Sequence, residues 1–331
     1  MADLVIGADL GGTSTRLMVA TTDGARLATV EGGGGNPTTH GVERAAAELA
    51  RAARRALTGH DPGEVRAVVI GVAGRATLDD RRAMRAFTDA LAAAGVPARP
   101  DFVGDAEVAF CSATPEPDGT VLLAGTGAMA VRIRDRRVDA TSDGLGWLLG
   151  DEGSAYWLGR EAVRVSIAAI GGVGPPTTLT GAVSGTLLDG PPPASPVRHR
   201  SALIRAVNAR PPIALAALAP LVTRAENQGD VVAAAVCDAA AERLAKMLAD
   251  VRETTDRAPL VTAGSVAGDP RTPVGRRLRT LIAARFTGNV LTPADGTVGA
   301  AWLAVRRLHP DTPLADVHSR LQRQSAQTRQ D

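Results

Sequence analysis

Close to its start the chain reads Leu4-Val5-Ile6-Gly7-Ala8, then Asp9-Leu10-Gly11-Gly12-Thr13-Ser14-Thr15, then the second apolar run Arg16–Thr21. Two extended segments joined by a Gly-rich turn form a hairpin. The arrangement returns from Thr120 onward, with Val121–Ala124, the turn Gly125-Thr126-Gly127 and Met129–Arg134. A strand, a Gly-Thr turn and a strand occurring twice point to two related domains, each presenting one loop to a cleft. The 331 residues suit about two domains.

Between the hairpins, Leu27–Val30 is a third extended run, and the loop Glu31–Gly35 leads to Asn36. Gly41–Leu57 carries apolar positions at helical spacing, Val65–Val72 is a buried strand and Asp79–Ala94 a helix. Pro100–Gly104 is a strand that ends at Asp105, and the helix Ala106–Ala113 follows. The first block is therefore βββαβαβ-like. Beyond the second hairpin, residues 171–213 are rich in Gly and Pro and contain Pro191–Pro193, which predicts irregular surface loops. Val222–Val251 is a long helical stretch broken near Gly229. Leu260–Ala263 is a strand, Gly264 opens a turn, and Asp295–Leu308 is expected to be the final helix, returning to the first domain. The expected division is 1–114 together with a C-terminal helix at about 303–318, and 115–302.

Composition excludes several functions. The 45% hydrophobic and 22% charged residues are those of a globular chain with a large core. The formal charge is only +2, and basic residues sit among acidic ones, as in Glu48, Arg51, Arg54 and Arg55, so no nucleic-acid partner is expected. Cys111 and Cys237 lie far apart without a His partner at metal spacing, which implies neither a disulfide framework nor a metal centre. No basic, apolar leader is visible and no uncharged stretch approaches the ~18 residues of a membrane span, so no membrane association and a cytoplasmic location are expected.

Four segments carry candidate chemistry. In Asp9–Thr15 the glycines let backbone N–H groups approach phosphate oxygens, with Gly11, Gly12, Thr13 and Ser14 as donors and Asp9 placed to hold Mg²⁺ through water. Gly125, Thr126 and Gly127 offer the same donors again. Either loop could instead be an ordinary hairpin turn. Asp105, at a strand end and a helix start, suits a general base for an acceptor hydroxyl, or equally an N-cap. The segment Gly146–Gly159 gathers Asp151, Glu152 and three aromatics, Trp147, Tyr156 and Trp157, in a chain with 2% aromatics. Rings and carboxylates together suit a carbohydrate. The competing reading is a helix entry, with the acids complementing the dipole and Trp157 in the core. Gly264 and Ser265 end a strand with small residues, leaving room for a nucleotide base or forming a plain turn.

Taken in order, these segments resemble the N-acetylglucosamine kinases of the ATPase superfamily that contains actin, Hsp70 and hexokinase, in the branch shared with the benzoyl-CoA reductase activators. The most specific likeness is Leu149-Gly150-Asp151-Glu152-Gly153-Ser154-Ala155-Tyr156-Trp157. The resemblance implies an α/β chain of two actin/hexokinase-like, ribonuclease H-type domains, each a mixed sheet of βββαβα topology flanked by helices. It implies ATP and Mg²⁺ as cofactors, an amino sugar phosphorylated at its 6-OH, a cytoplasmic homodimer, and a hinge formed by Ala106–Ala113 and Thr297–Ala304. Asp105 then resembles the catalytic Asp, Gly264–Val266 the adenosine loop, and Asn36, Asp105, Leu145, Gly146 and Asp151 the sugar contacts. Where relatives carry Gly-Gly-Trp-Gly, this chain reads Asp143-Gly144-Leu145-Gly146. Alternative acceptors are glucosamine, a muramic acid derivative or another hexose. The rival functions are an ATPase that activates a dehydratase or reductase, which would need thiolates for an iron–sulfur cluster, and a sugar-sensing regulator, which would carry a DNA-binding segment ahead of Asp9.

Overall fold

The computed structural model describes residues 3–12, 14–73 and 81–327. The expected phosphate-loop residue Thr13 and the start of the expected helix at Asp79 lie outside them. Alternation and apolar runs give three strands in succession, β1 (Leu4–Leu10), β2 (Thr15–Thr21) and β3 (Arg26–Gly32). A short helix α1 (Pro37–His40) and the amphipathic α2 (Val42–Ala56) follow. Helix α2 buries Ala45, Ala46, Leu49, Ala52, Ala53 and Ala56 at helical spacing and turns its arginines outward. Next come β4 (Val65–Val72), α3 (Arg81–Ala92), β5 (Pro100–Gly104) and α4 (Asp105–Ala113). The sheet order is β3-β2-β1-β4-β5, with β1–β2–β3 antiparallel and β1–β4–β5 parallel.

The second sheet repeats this plan. Strands β6 (Gly119–Ala124), β7 (Ala128–Arg134) and β8 (Arg137–Asp143) come first. A helical insert follows: α5 (Ala155–Ile170), α6 (Leu179–Leu187), α7 (Pro196–Asn208), α8 (Ala219–Asn227) and α9 (Val231–Ala249). The chain then adds β9 (Leu260–Ala263), the single turn α10 (Gly264–Ala267), α11 (Pro273–Arg285) and β10 (Val290–Leu291). Its order, β10-β9-β6-β7-β8, is the first sheet's order read from the other edge, with β6 parallel to β9. The last helices are α12 (Gly296–Leu308) and α13 (Ala315–Gln327).

Two compact units result: residues 1–119, 133–138 and 291–331, and residues 120–132 and 139–290. The first unit takes the chain back at Leu291, ahead of the position expected near 303, because all of α12 packs on β1, β4 and α4. Its main apolar core joins β1, β2, β4, α2 and α3. The second unit's core joins β6, α5, α8, α9 and α11. No single helix among the described residues is long and apolar enough to cross a membrane.

Two expectations need correction. Residues 171–213 are not irregular, since they hold α6 and α7. Asp230 accepts from Thr177 Oγ1 and from the N–H and Oγ1 of Thr178 at 2.7–2.8 Å, which fixes the start of α6. Leu179, Val183 and Leu187 then bury one face at a spacing of four. Pro196 opens α7 in its first turn, where no N–H is required. Nor is α12 the final helix. In α13 a thin apolar stripe, Leu321 and the buried His318, packs among polar residues, and the ring Nε2 of His318 lies 2.8 Å from the Cys111 carbonyl.

Helix α12 crosses β1 in backbone contact, because any Cβ at Gly7 would collide with the backbone of Ala301 and Thr297. Backbone cannot yield as a side chain tip can. Gly7→Val should therefore lower the unfolding free energy by about 3 kcal/mol, read as a lower urea midpoint at unchanged m-value.

Candidate active site

The parallel register of the first sheet brings its acids to one edge. Asp9 pairs with Gly71 and Val72 pairs with Gly104, so Asp9 and Asp105 both stand at the C-terminal ends of their strands. In open α/β sheets this is the edge where ligands bind. Asp105 is the first residue of α4, and Gly104 is its N-cap, so the capping alternative for Asp105 does not hold. Glu107 secures that helix start by accepting from the Gly104 N–H at 2.6 Å. Asp105 itself accepts from the Ala106 N–H at 3.0 Å. Burial lifts its carboxyl above the ordinary carboxylate range, against the backbone donors of Ala106 and Asp105, and Glu107 lifts it further.

Sequence reasoning missed a third acid. Asp295 accepts from the Thr297 N–H at 2.9 Å and caps α12, and a side chain at Gly296 would run into the Asp9 carboxylate. The signal was available in Asp295-Gly296-Thr297, an N-cap before an apolar run. Burial first, then the charges of Asp295 and Asp105, push the Asp9 carboxyl up to about 6, and Arg16 only partly offsets them. Arg16 lies 4.0 Å from Asp295. Among the described residues no group of three His, Cys, Asp or Glu side chains could hold a metal directly. This donor set fits a cation held by Asp9 through water, not one caged by protein.

The first Gly-rich loop is held by its own backbone and by α1. Gly11 N–H donates to Ser14 O, and the Gly35 and Asn36 N–H groups both donate to Gly11 O. His40, also missed, places its Nε2 at 2.7 Å from Gly12 O. Asn36 is buried and caps α1, its Oδ1 accepting from the Thr38 N–H at 2.8 Å while its Nδ2 donates to Ala73 O at 3.2 Å. One amide hydrogen and one lone pair remain for a ligand.

The second unit gathers the other candidates. Ala155 and Tyr156 N–H, at the start of α5, donate to the carbonyls of Gly125 and Thr126 at 2.8 and 3.1 Å, docking the second loop on a helix end. Asp151 accepts from the Ala128 N–H at 3.0 Å. Burial raises its carboxyl, that N–H lowers it and Asp143 raises it again. Asp143 holds the turn by accepting from the Asp151 and Glu152 N–H groups at 2.8 and 3.0 Å. Helix α5 begins only at Ala155, capped by Ser154, so Asp151 and Glu152 do not form its first turn. Glu152 instead pairs with Arg243 at 2.7 Å, and Trp157 is buried. Leu145 is 63% exposed on the same loop as Gly146, beside the exposed Leu148 and Leu149.

Gly264, at φ 88°, brings the end of β9 against Ala124 and Gly125, where a Cβ would strike backbone. The second loop and the Gly264–Ser265 turn are thereby adjacent. They border a cavity of about 530 Å³, lined by Thr126, Ser265, Val266, Ala216, Pro220 and Arg224. That size and its mostly apolar wall with a few polar groups suit a small-molecule ligand. Arg224 was not legible as a site residue. Both cysteines are buried and free, with thiols pushed up to about 12 mainly by burial, so neither is poised as a thiolate ligand.

A model of the BadF/BadG/BcrA/BcrD ATPase family matches residues 6–304. An N-acetylmuramic acid/N-acetylglucosamine kinase from Clostridium acetobutylicum is 30% identical over 180 residues, which is 54% of this chain and 58% of that protein. The match thus spans little more than half of the relative. Among solved structures, one from Chromobacterium violaceum, provisionally named an N-acetylglucosamine kinase, aligns with a TM-score of 0.69 at 22% identity over 92% of this chain and 99% of that one. A ROK family glucokinase from Streptomyces griseus, solved with glucose and AMPPNP, aligns at 0.53 and 21% identity over 91% and 99%. At these identities the structures speak for the fold, a two-domain hexokinase-like architecture.

The Asp9 carboxyl gives a pH signature. It ionises near 3.8 in its ordinary state and near 6 in the fold. The folded protein therefore holds that proton more tightly, and ionised Asp9 weakens the fold. The penalty is absent below the lower value, grows between the two and is complete above the higher. Without Mg²⁺ or nucleotide, Asp9→Asn should be more stable than the parent at pH 7.5 by roughly 2–3 kcal/mol. The advantage should shrink towards zero at about pH 4, as measured by urea unfolding; a difference independent of pH would refute the assignment.

Proposed function

Because the chain belongs to the BadF/BadG/BcrA/BcrD ATPase family, we propose that it is an ATP-dependent kinase that transfers a phosphoryl group to the 6-OH of an amino sugar, N-acetylglucosamine first. The observation that carries this reading is the cavity edged by Thr126 and Ser265. It gives a nucleoside an apolar berth directly beside the Gly125–Gly127 loop. Gly11, Gly12, Thr13 and Ser14 of the first Gly-rich loop, and Gly125, Thr126 and Gly127 of the second, are the residues proposed to contact phosphate.

Asp105 is the proposed base. Its raised carboxyl accepts a proton more readily than an ordinary Asp, and the Ala106 N–H keeps it oriented. Mg²⁺, when bound through water to Asp9, supplies positive charge to the phosphate oxygens. Asn36, Asp151 and Gly146 are the proposed sugar contacts. Leu145, which precedes Gly146 and is exposed, is proposed as an apolar wall for an acyl or lactyl substituent, which keeps N-acetylmuramic acid in the reading as a second acceptor. The activator alternative is disfavoured by the two buried, protonated thiols. A cytoplasmic homodimer belongs to the same proposal, by family resemblance.

A coupled ADP-release assay over N-acetylglucosamine, N-acetylmuramic acid, glucosamine and glucose tests the proposal. N-acetylglucosamine or N-acetylmuramic acid should give the highest kcat/KM. Asp105→Asn should lower kcat by roughly 10²–10⁴ while nucleotide affinity stays within about twofold. If no sugar stimulates ATP turnover, the kinase reading fails; near-parental kcat in Asp105→Asn removes that residue from the mechanism.

A further inference from the structure

A second concavity, of about 500 Å³, opens in the first unit, and none of Asp9, Asp105 and Asp295 lines it. Four arginines converge there from two elements. The β7–β8 hairpin contributes Arg136 from its turn and Arg137 from the first position of β8, and the last turn of α12 contributes Arg306 and Arg307. Three acids share the wall, Asp101, Glu107 and Asp135. Each is already engaged. Asp101 pairs with Arg307. Glu107 accepts from the N–H groups of Gly104 and Val138 at 2.6 and 3.3 Å. Asp135 reaches Arg136 at 3.3 Å from a side chain that is 89% exposed, where such a pair contributes little. Arg137 and Arg306 have no carboxylate partner among the described residues.

The arrangement gathers like charge. Arg136 and Arg306 lie over the same Trp302 ring, 5.4 and 6.0 Å from its centroid. Each guanidinium gains from the ring face, yet each repels the other. Burial, and then the charge of Arg306, depress the Arg136 guanidinium. Arg136 and Asp135 also hold φ values of 61° and 45°, in a turn conformation that Asn-Gly occupies at lower cost. Arg136 also donates to Pro115 O at 3.0 Å and Arg307 pairs with Asp101, so the structural contacts account for those two and leave Arg137 and Arg306 facing the cavity without a carboxylate partner among the described residues.

We infer that this cavity binds the phosphate group of a small phosphomonoester. Planar guanidinium forks match phosphate oxygens, and a dianion offsets two unpaired cations where a monoanionic carboxylate offsets one. The volume accommodates a molecule of hexose-phosphate size. Binding here would bear on the acidic edge through two helices. Helix α4 starts at Asp105 and carries Glu107. Helix α12 is capped by Asp295 and ends in Arg306 and Arg307. The two touch backbone to backbone, since a Cβ at Gly299 would meet Val108 O and Ser112 N. A ligand held there would be placed to act on that edge, a consequence that rests on the proposed function, whereas the binding does not.

Equilibrium dialysis of the whole protein with labelled inorganic phosphate, and separately with glucose 6-phosphate, tests the site. A non-hydrolysable ATP analogue, Mg²⁺ and N-acetylglucosamine are kept saturating so that the active site is filled. One equivalent should bind, and Arg306→Gln and Arg137→Gln should each weaken it at least tenfold. Arg137 is exposed, so its variant keeps the test valid if Arg306→Gln fails to fold. A tighter hexose phosphate identifies a phosphorylated sugar as the source, and a tighter inorganic phosphate identifies the free ion; either supports the site. No binding at millimolar ligand, binding unchanged by both variants, or binding abolished by the ATP analogue would overturn it. Loss of sugar-dependent turnover alone would count against the kinase and leave these readouts intact.

Discussion

The backbone contact of α12 with β1 on one side and α4 on the other governs the first unit. Gly7 and Gly299 leave no room for a methyl group at either crossing. Closely packed interiors tolerate such approach only where both surfaces are bare backbone. The consequence is positional. With α12 seated so closely, its N-cap Asp295 and the bare Gly296 come against Asp9, and α4 is held with Asp105 at the same sheet edge. Three carboxylates are gathered by packing forces that act some distance along the helices from the acids themselves.

The two sheets share one strand order, yet the loops that follow their first strands are supported differently. In the first unit the Gly-rich loop leans on α1, through Asn36 and His40. In the second the Gly-Thr loop is pinned to the start of α5, and Asp151 closes the turn by accepting from Ala128. That difference explains the crowded segment Gly146–Trp157. Its acids hold loops and pair with arginines rather than decorating a helix entry, and Trp157 anchors the same segment in the core.

Much of this was readable in the residues. The boundaries of β4 and β9 follow from apolar runs with abrupt polar or small-residue ends, at Val65–Val72 and Leu260–Ala263. The repeated strand, Gly-Thr turn and strand anticipated the paired sheets, and the position of Asp105 between a strand and a helix was also read from the sequence. The failures share a cause. Helices α6 and α7 lie in a Gly- and Pro-rich stretch; α6 is fixed at its start by Asp230, distant in sequence, and α7 is held by His199 against Ser184 and by the buried Leu203. Helix α13 is stabilised by a buried His318 and by Gln322 donating to Ser112 O at 2.8 Å, contacts that no local periodicity announces. Asp295, His40 and Arg224 act through neighbours supplied by tertiary packing, so their residue types alone carried too little signal.

Charge placement gives the last step. Many ion pairs among the described residues join exposed side chains, such as Arg285 with Glu242 at 2.8 Å, and such pairs cost and gain little. Two places in the first unit do the reverse. Asp9, Asp105 and Asp295 concentrate negative charge at the sheet edge, and Arg136 with Arg306 concentrates positive charge over Trp302. Each lowers the stability of the unliganded fold, since folding gathers like charges that the unfolded chain keeps apart. Marginally stable proteins retain such costs where a counter-charge arrives from outside, because a ligand that binds only the folded state returns the lost stability by mass action. The acids would be relieved by a cation and the arginines by an anion, so each cluster is a cost that a ligand of opposite charge returns on binding the folded chain.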